Sequence, residues 1–351
     1  MLKKYVDLLR QEFDAQKSFE HVQEICKHHR IQASPGHRAA ADYSASQFIK
    51  AGLATEILSY AGDGTTAYWN YLMPEEWVAT KGVLELLGDE PEILADFSEI
   101  PISLIQRSIS ADRVEAELVF LGKSDEEEDY PDLDLNGKIV FTSGDYDYVR
   151  GWAVESRGAI GIVTDRMAEF PPVRLRSSIP DARTYTSFWW YGGEKKCFGF
   201  VVSPRMGDDL RAKAEKQTLR VRATVKSKFY PGHVEIVSAL IKGKTEEEVV
   251  LTAHLCHPQP SANDNASGCG AAIETARTLQ FLINRGELEQ PERSIRFLLL
   301  PEMSGSYAFL ANNEELIPNM VAAINLDMVG ENQCLTGGPL VAVTLPNACD
   351  H

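Results

Sequence analysis

The second half of the chain alternates short apolar runs with stretches of helical period. Val234 to Ile241 and Glu248 to Ala253 read as strands, the latter built on the β-branched and aliphatic run Val249-Val250-Leu251. Ser267 and Gly268 then open an apolar helix over 270–286. A strand over 295–300, a helix over 305–312 and a strand over 321–326 follow. Strand and helix in alternation predict an α/β fold, a three-layer sandwich around a mostly parallel central sheet.

The first half has a different texture. Residues 1–30 read as one or two amphipathic helices, and Ser34-Pro35-Gly36 as a turn. Arg38 to Ala51 carries Ala41, Ala45, Phe48 and Ile49 at helical spacing and ends at Gly52, with His37 as a surface or cap residue at its start. Ala54 to Tyr60 and Gly82 to Leu87 read as strands of the first sheet. From about Pro101 the pattern changes. Val114 to Leu121 alternates like a strand, and Ser124 to Asp134 is an acidic loop. Lys138 to Thr142, Tyr148 to Arg157 and Ala159 to Val163 read as strand, helix, strand, and Leu219 to Thr224 as a closing strand. The expected division is 1–104 and 229–351 as two parts of one α/β domain, with a β-rich unit over 105–228 inserted between them. Within that insert, Thr184 to Gly193 (TYTSFWWYGG) is the aromatic stretch best suited to touch a ligand.

Composition narrows the function classes. A length of 351 residues suits about two domains at roughly 150 residues each. A net charge of -16 excludes nucleic acid as the expected partner, since that needs clustered Lys and Arg. No apolar run approaches a membrane span, and the charged start MLKKYVDLLRQEFDAQ is not a signal peptide. The six cysteines are scattered without a CxxC pair, which points to reduced thiols and a cytoplasmic location.

Candidate chemistry gathers at the end of the Val249 strand. His254, His257 and Asp264 fall within eleven positions, a donor set that suits zinc. The carboxyl end of a strand, just before a helix, is where open α/β sheets place ligands. Hydrogen-bonded loop histidines and Asn-Asp-Asn turn chemistry give the same residues an ordinary reading. Cys256, between the imidazoles, reads as a small buried residue or a soft ligand.

AHLCHPQPSANDNASG resembles the first motif of the M28 zinc aminopeptidases, and is nearer still to their aminopeptidase-like relatives with a Cys-His-Pro step. RFLLLPEMSGS and AAINLDMVG resemble the next two motifs, in order, and SPGHRAAADYSASQFIKAGL resembles the first helix. LNGKIVFTSGDYDYVRGWAVESRGAIGIVTD and FGFVVSPRMGDDLRAKAE resemble a protease-associated domain, a lid, specificity module or stabilising unit inserted in such enzymes. The resemblance implies a zinc-exopeptidase-like sheet and cleavage of N-terminal residues from a peptide or small amide by zinc-activated water. It implies His254 and Asp327 as zinc ligands, Asp264 as the bridging ligand, and Glu302 as general base. Three departures weaken a second zinc site. Met303 replaces a ligand glutamate, Cys256 replaces the aspartate that orients the histidine, and His351 comes too soon after Asp327 for the last histidine ligand. His257 is the candidate replacement. The alternatives are a weak or inactive member that binds peptides or a partner, and a zinc amidohydrolase or deacylase acting on a small molecule.

Overall fold

The structure, a computed structural model, describes residues 2–122, 126–130, 133–172, 174–337 and 341–343. His351, Cys349 and part of the acidic 124–134 loop lie outside them. Helices Leu2–Glu12, Ala15–Ile25 and Pro35–Lys50 come first. The strands, in chain order, are β1 (Ala54–Gly62), β2 (Ala67–Tyr68), β3 (Tyr71–Leu72), β4 (Glu76–Leu86), β5 (Glu92–Asp96), β6 (Ala111–Phe120) and β7 (Ile139–Thr142). After these come β8 (Gly161–Thr164), β9 (Phe198–Val201), β10 (Arg220–Tyr230), β11 (Gly232–Ile241), β12 (Glu248–His254), β13 (Ser294–Leu300) and β14 (Met320–Asn325).

Local chemistry sets the helix starts. Ser34 Oγ accepts from the His37 amide, and Pro35 follows in the first helical turn, where its missing N–H costs nothing. Asp14 caps Ala15–Ile25 in the same manner, and Ser203-Pro204 repeats the Ser-Pro start at Pro204–Ala214. His37 is fully buried, not a surface residue as its position in the motif suggested.

Two larger sheets result. The first has the order β1-β11-β13-β12-β14. It is mixed rather than mostly parallel: β1, β11 and β13 run antiparallel in turn, and only β13, β12 and β14 are parallel. One face packs Phe297, Leu299, Val237 and Ala253 against the helices Ala15–Ile25, Pro35–Lys50 and Gly268–Asn284. The other packs Ile236, Val250, Leu298 and Leu300 against Phe309 of helix Ser304–Ala311. At the amino ends of the parallel strands Arg296 makes two bonds to Glu248, 2.6 and 2.7 Å, and a third to Ser238 Oγ, 2.9 Å. β14 is the outer edge, with Val321 and Ile324 about half exposed.

The second sheet has the order β5-β4-β10-β6-β7-β8-β9. It is antiparallel on one side and parallel from β6 to β9. β4 and β5 belong here, although the sequence placed Gly82 to Leu87 in the first sheet. The pairing of the 11-residue β4 with the equally long β10 explains it, since both strands extend past the residues that looked strand-like. No separate protease-associated domain confined to 105–228 is evident among the described residues. No helix among them is long and apolar enough to cross a membrane.

Candidate metal centre

The parallel edge β13-β12-β14 converges its carboxyl ends on one place. His254 is the last residue of β12, Glu302 follows β13 by two residues, and Asp327 follows β14 by two. Asp264 arrives from the loop between β12 and helix Gly268–Asn284. His254 Nε2 lies 3.1 Å from Asp264 Oδ1 and 3.5 Å from Asp327 Oδ1. The second carboxylate oxygen of Asp264 faces the other imidazole, 3.5 Å from His257 Nε2.

Those spacings fit a metal. Two ligands on zinc at about 2.0–2.1 Å in tetrahedral geometry stand about 3.3 Å apart. His254, Asp264 and Asp327 offer donor atoms within 4.8 Å of one another, and so do His254, Cys256, His257 and Glu302. No Lys or Arg among the described residues forms an ion pair with Asp264 or Asp327. Two carboxylates gathered without a fixed cation are stabilised by protons on the imidazoles or by a bound metal ion.

The electrostatics agree. Burial opposes charge on His254, but the Asp264 bond and Cys256 outweigh it and push the imidazole up to about 11. His257 is raised against the same burial penalty by Cys256 and then Asp264. Asp264 is lowered chiefly by its bond to His254. Burial pushes the Cys256 thiol up, yet the two imidazoles bring it down to about 6.

Cys256 is the centre of the supporting layer. Its Sγ is 3.6 Å from His254 Nδ1 and 3.5 Å from His257 Nδ1, and the Glu302 amide donates to it at 3.2 Å. One sulfur thereby turns both Nε2 atoms toward the carboxylates, the orienting role that a second partner on each ring plays around metals. Cys256 is buried behind the imidazoles, and its sulfur also falls in the donor group formed with His254, His257 and Glu302.

Other supports carried no clear sequence signal. Arg30, fully buried, donates from Nε to the Leu255 carbonyl at 2.9 Å and from NH2 to that of Ser261 at 3.1 Å, fixing the loop that carries both histidines. Asn265 ties Asp264 to Asp327. Its Nδ2 donates to the Leu326 carbonyl at 2.9 Å, and its Oδ1 accepts from the Met328 amide at 3.2 Å, on either side of Asp327. Ser267 Oγ and Asn263 Oδ1 accept from Val329 and Gly330 in turn. Gly268 is required there, because a Cβ would stand 2.3 Å from the Leu326 carbonyl oxygen. The Asn-Asp-Asn-Ala-Ser run was open to a turn reading; its turn groups in fact stitch two metal-type carboxylates together.

Met303 stands beside Glu302 with φ +56° and its side chain exposed. It offers only a thioether where a carboxylate would be the usual zinc donor. Tyr185, from the aromatic stretch between β8 and β9, packs its ring 4.9 Å from that of His257. A connection of the second sheet therefore reaches this site.

Comparison with known proteins fits this geometry. A family described as a domain of unknown function (DUF4910) matches residues 19–337. A Clostridium acetobutylicum protein, named for polysaccharide biosynthesis and an aminopeptidase-like domain, is 35% identical over 91 residues, which span 26% of this chain and only 19% of that protein. Among solved structures, a zinc aminopeptidase from Bacillus subtilis is 20% identical with a TM-score of 0.62, covering 91% of this chain and 70% of its own. An M28 peptidase precursor from Shewanella amazonensis is 17% identical with a TM-score of 0.66, covering 93% and 74%. An aminopeptidase from Aneurinibacillus sp. strain AM-1 is 20% identical with a TM-score of 0.55, covering 93% and 73%. At such identities the likeness is one of fold. The chain belongs to the DUF4910 family, and it is built on a mixed α/β fold that resembles the zinc aminopeptidases.

Proposed function

We propose that the protein is a metal-dependent, aminopeptidase-like hydrolase that removes N-terminal residues from peptides. The observation that carries this reading is the divided Asp264 carboxylate, with one oxygen on His254 beside Asp327 and the other on His257. His254, Asp264 Oδ1 and Asp327 would hold one zinc ion. Asp264 Oδ2 and His257 would supply part of a second, weaker site, in place of the carboxylate that Met303 lacks. Zinc bound there would supply Lewis acidity toward the scissile carbonyl and make water acidic enough to attack at neutral pH.

The chain's own residues do the rest. Glu302, held beside the imidazoles by the hydrogen bond that its backbone N–H donates to Cys256 Sγ, accepts a proton from the attacking water and returns it to the leaving amine. Tyr185 covers the His257 side of the site, while the Asp264 and Asp327 side chains stay open to an incoming substrate. The scattered thiols suit a reduced, cytoplasmic setting.

Met303 favours a second reading, in which an incomplete second site suits a zinc amidohydrolase acting on a small N-acyl molecule. Zinc-loaded protein assayed on aminoacyl anilides beside N-acyl amino acids decides between them. Chelator-sensitive release of anilide from free-amine substrates is the expected result. Turnover of N-acyl compounds alone would move the assignment to the amidohydrolase, and turnover of neither would leave a binding protein.

A further inference from the structure

Arg107 is the buried charge that the chemistry above does not use. It is only 2% exposed, yet among the described residues no carboxylate forms an ion pair with it. Its NH1 donates to the Glu75 carbonyl and its NH2 to the Gln32 carbonyl, each at 2.8 Å. Nε has no partner among the described residues. Two of the five guanidinium N–H groups are therefore bound to backbone oxygen. The Trp189 ring lies against the guanidinium, 5.1 Å from its carbon. Burial pushes Arg107 down to about 10, with Tyr185, Tyr71 and Glu75 opposing, so it remains charged at neutral pH. A cation taken out of water without an anion is costly, and carbonyls and an indole face repay only part of that cost.

The guanidinium lines a small cavity of about 90 Å³ together with Tyr71, Glu75, Trp189, Tyr191 and Lys196. That volume holds a carboxylate on a short stem or the edge of a flat ring; a folded peptide does not fit. The Glu75 carboxylate is already paired with Lys196 at 3.2 Å and acts on Arg107 only from a distance, which leaves Arg107 as the lining cation with no carboxylate in contact among the described residues. The cavity adjoins the candidate metal centre by two routes. Gln32, whose carbonyl holds Arg107, accepts from Ser304 Oγ at 2.7 Å, two residues beyond Glu302. The chain at Gln106 pairs with the segment at Ser187, and that segment carries Tyr185 onto His257.

We propose that this cavity is a carboxylate subsite in which Arg107 pairs with an anionic group of the substrate. Arg107 presents a planar fork suited to two parallel bonds with a carboxylate. The aromatic walls favour a flat or apolar group beside that carboxylate. The substrate class is then a small acidic amide, such as a dipeptide with a free carboxyl terminus, rather than a long neutral chain. Only the word substrate rests on the hydrolase reading; the anion site does not.

The test measures binding without turnover. Protein stripped of metal by a chelator and dialysed is titrated calorimetrically with hippurate and with its neutral amide. Metal removal ensures that a carboxylate preference cannot come from coordination. Hippurate is expected to bind at least about tenfold more tightly than the amide, the usual margin for a charge-assisted pair. Arg107→Gln is expected to erase that difference, and Arg107→Lys to keep part of it. Equal binding of acid and amide by the wild type, no measurable binding of either, or a preference that survives in Arg107→Gln would each overturn the proposal. If Arg107→Gln does not fold, the wild-type comparison and Arg107→Lys still decide. A negative result here leaves the anilide assay, and the hydrolase reading, untouched.

Discussion

At the carboxyl ends of β7 and β8, Asp165 is fully buried, and each of its oxygens is taken: Ser143 Oγ donates at 2.7 Å, Arg176 at 2.6 Å and Arg211 at 2.8 Å. At the carboxyl ends of β12 and β14, His254, Asp264 and Asp327 face one another with no guanidinium or ammonium paired to either carboxylate. Both clusters sit where parallel strands end. A cavity of about 590 Å³ lies at the first of them. Cavity size favours the first edge as a binding site, and charge balance favours the second. A carboxylate neutralised by two arginines is complete and serves stability, whereas two carboxylates held against imidazoles are balanced by protons that a bound metal ion would replace.

The largest effect that separates the two edges is on turnover. Glu302→Gln is expected to lower hydrolysis of a leucine anilide by about 10²–10⁴-fold while zinc, measured by mass spectrometry, stays bound. Zinc loss in parallel with activity would make Glu302 a ligand. Next in size is a change at the other edge. Asp165→Ala leaves Arg176 and Arg211 with only the exposed Asp208 as a shared partner and is expected to cost about 2–4 kcal/mol in urea denaturation, with zinc content unchanged. A variant that unfolds no earlier, or that loses zinc, would break the contrast.

Smaller effects sharpen the account of the supports. Cys256→Ala frees both imidazoles and is expected to weaken zinc binding about 10–100-fold in a competition titration, with Cys256→Ser losing less because it retains an acceptor. Unchanged affinity in the alanine variant would remove Cys256 from its orienting role. The smallest effect is on pH dependence. In metal-free protein, His254 is raised from 6.5 to about 11 and His257 is raised too, so the folded chain keeps protons that the unfolded chain loses above about 6.5. The stabilisation is full below 6.5; the His254 part declines as the pH rises toward 11, and the His257 part is lost as the pH rises through its own raised value. Cys256, depressed from 9.0 to about 6, contributes stability that is present above 9.0 and is lost as the pH falls through 6. It offsets His254 between 6.5 and 9.0 and nothing beyond, while His257 adds a decline of its own. Melting temperature in chelator should therefore fall with rising pH and keep falling above 9, where His254 still holds a proton that the unfolded chain has lost. Added zinc, which replaces those protons, should reverse the trend. A flat or rising profile in chelator would contradict the proton count.

Legibility from sequence follows the range of the interaction. β12, β13 and β14 were readable because each is a continuous apolar run, and their ends carry His254, Glu302 and Asp327. The membership of β4 was not, because strand pairing with β10 is decided over a separation of more than a hundred residues and leaves no local pattern. The same holds for parallel against antiparallel pairing of β11 with β13. In the site, donors were legible by residue type and spacing, whereas Arg30, Arg107 and Asn265 act through backbone oxygens far along the chain. Burial of His37 was hidden by its place in the first turn of a helix, where exposed caps are the common case.

Zinc stoichiometry tests the central claim most directly. Protein reconstituted with zinc, freed of excess metal and analysed by mass spectrometry should hold at least one equivalent, and Asp264→Asn should hold none. Leucine anilide hydrolysis should rise and fall with the bound metal. Absence of stoichiometric zinc in the wild type, or undiminished hydrolysis by chelator-stripped protein, would contradict the assignment.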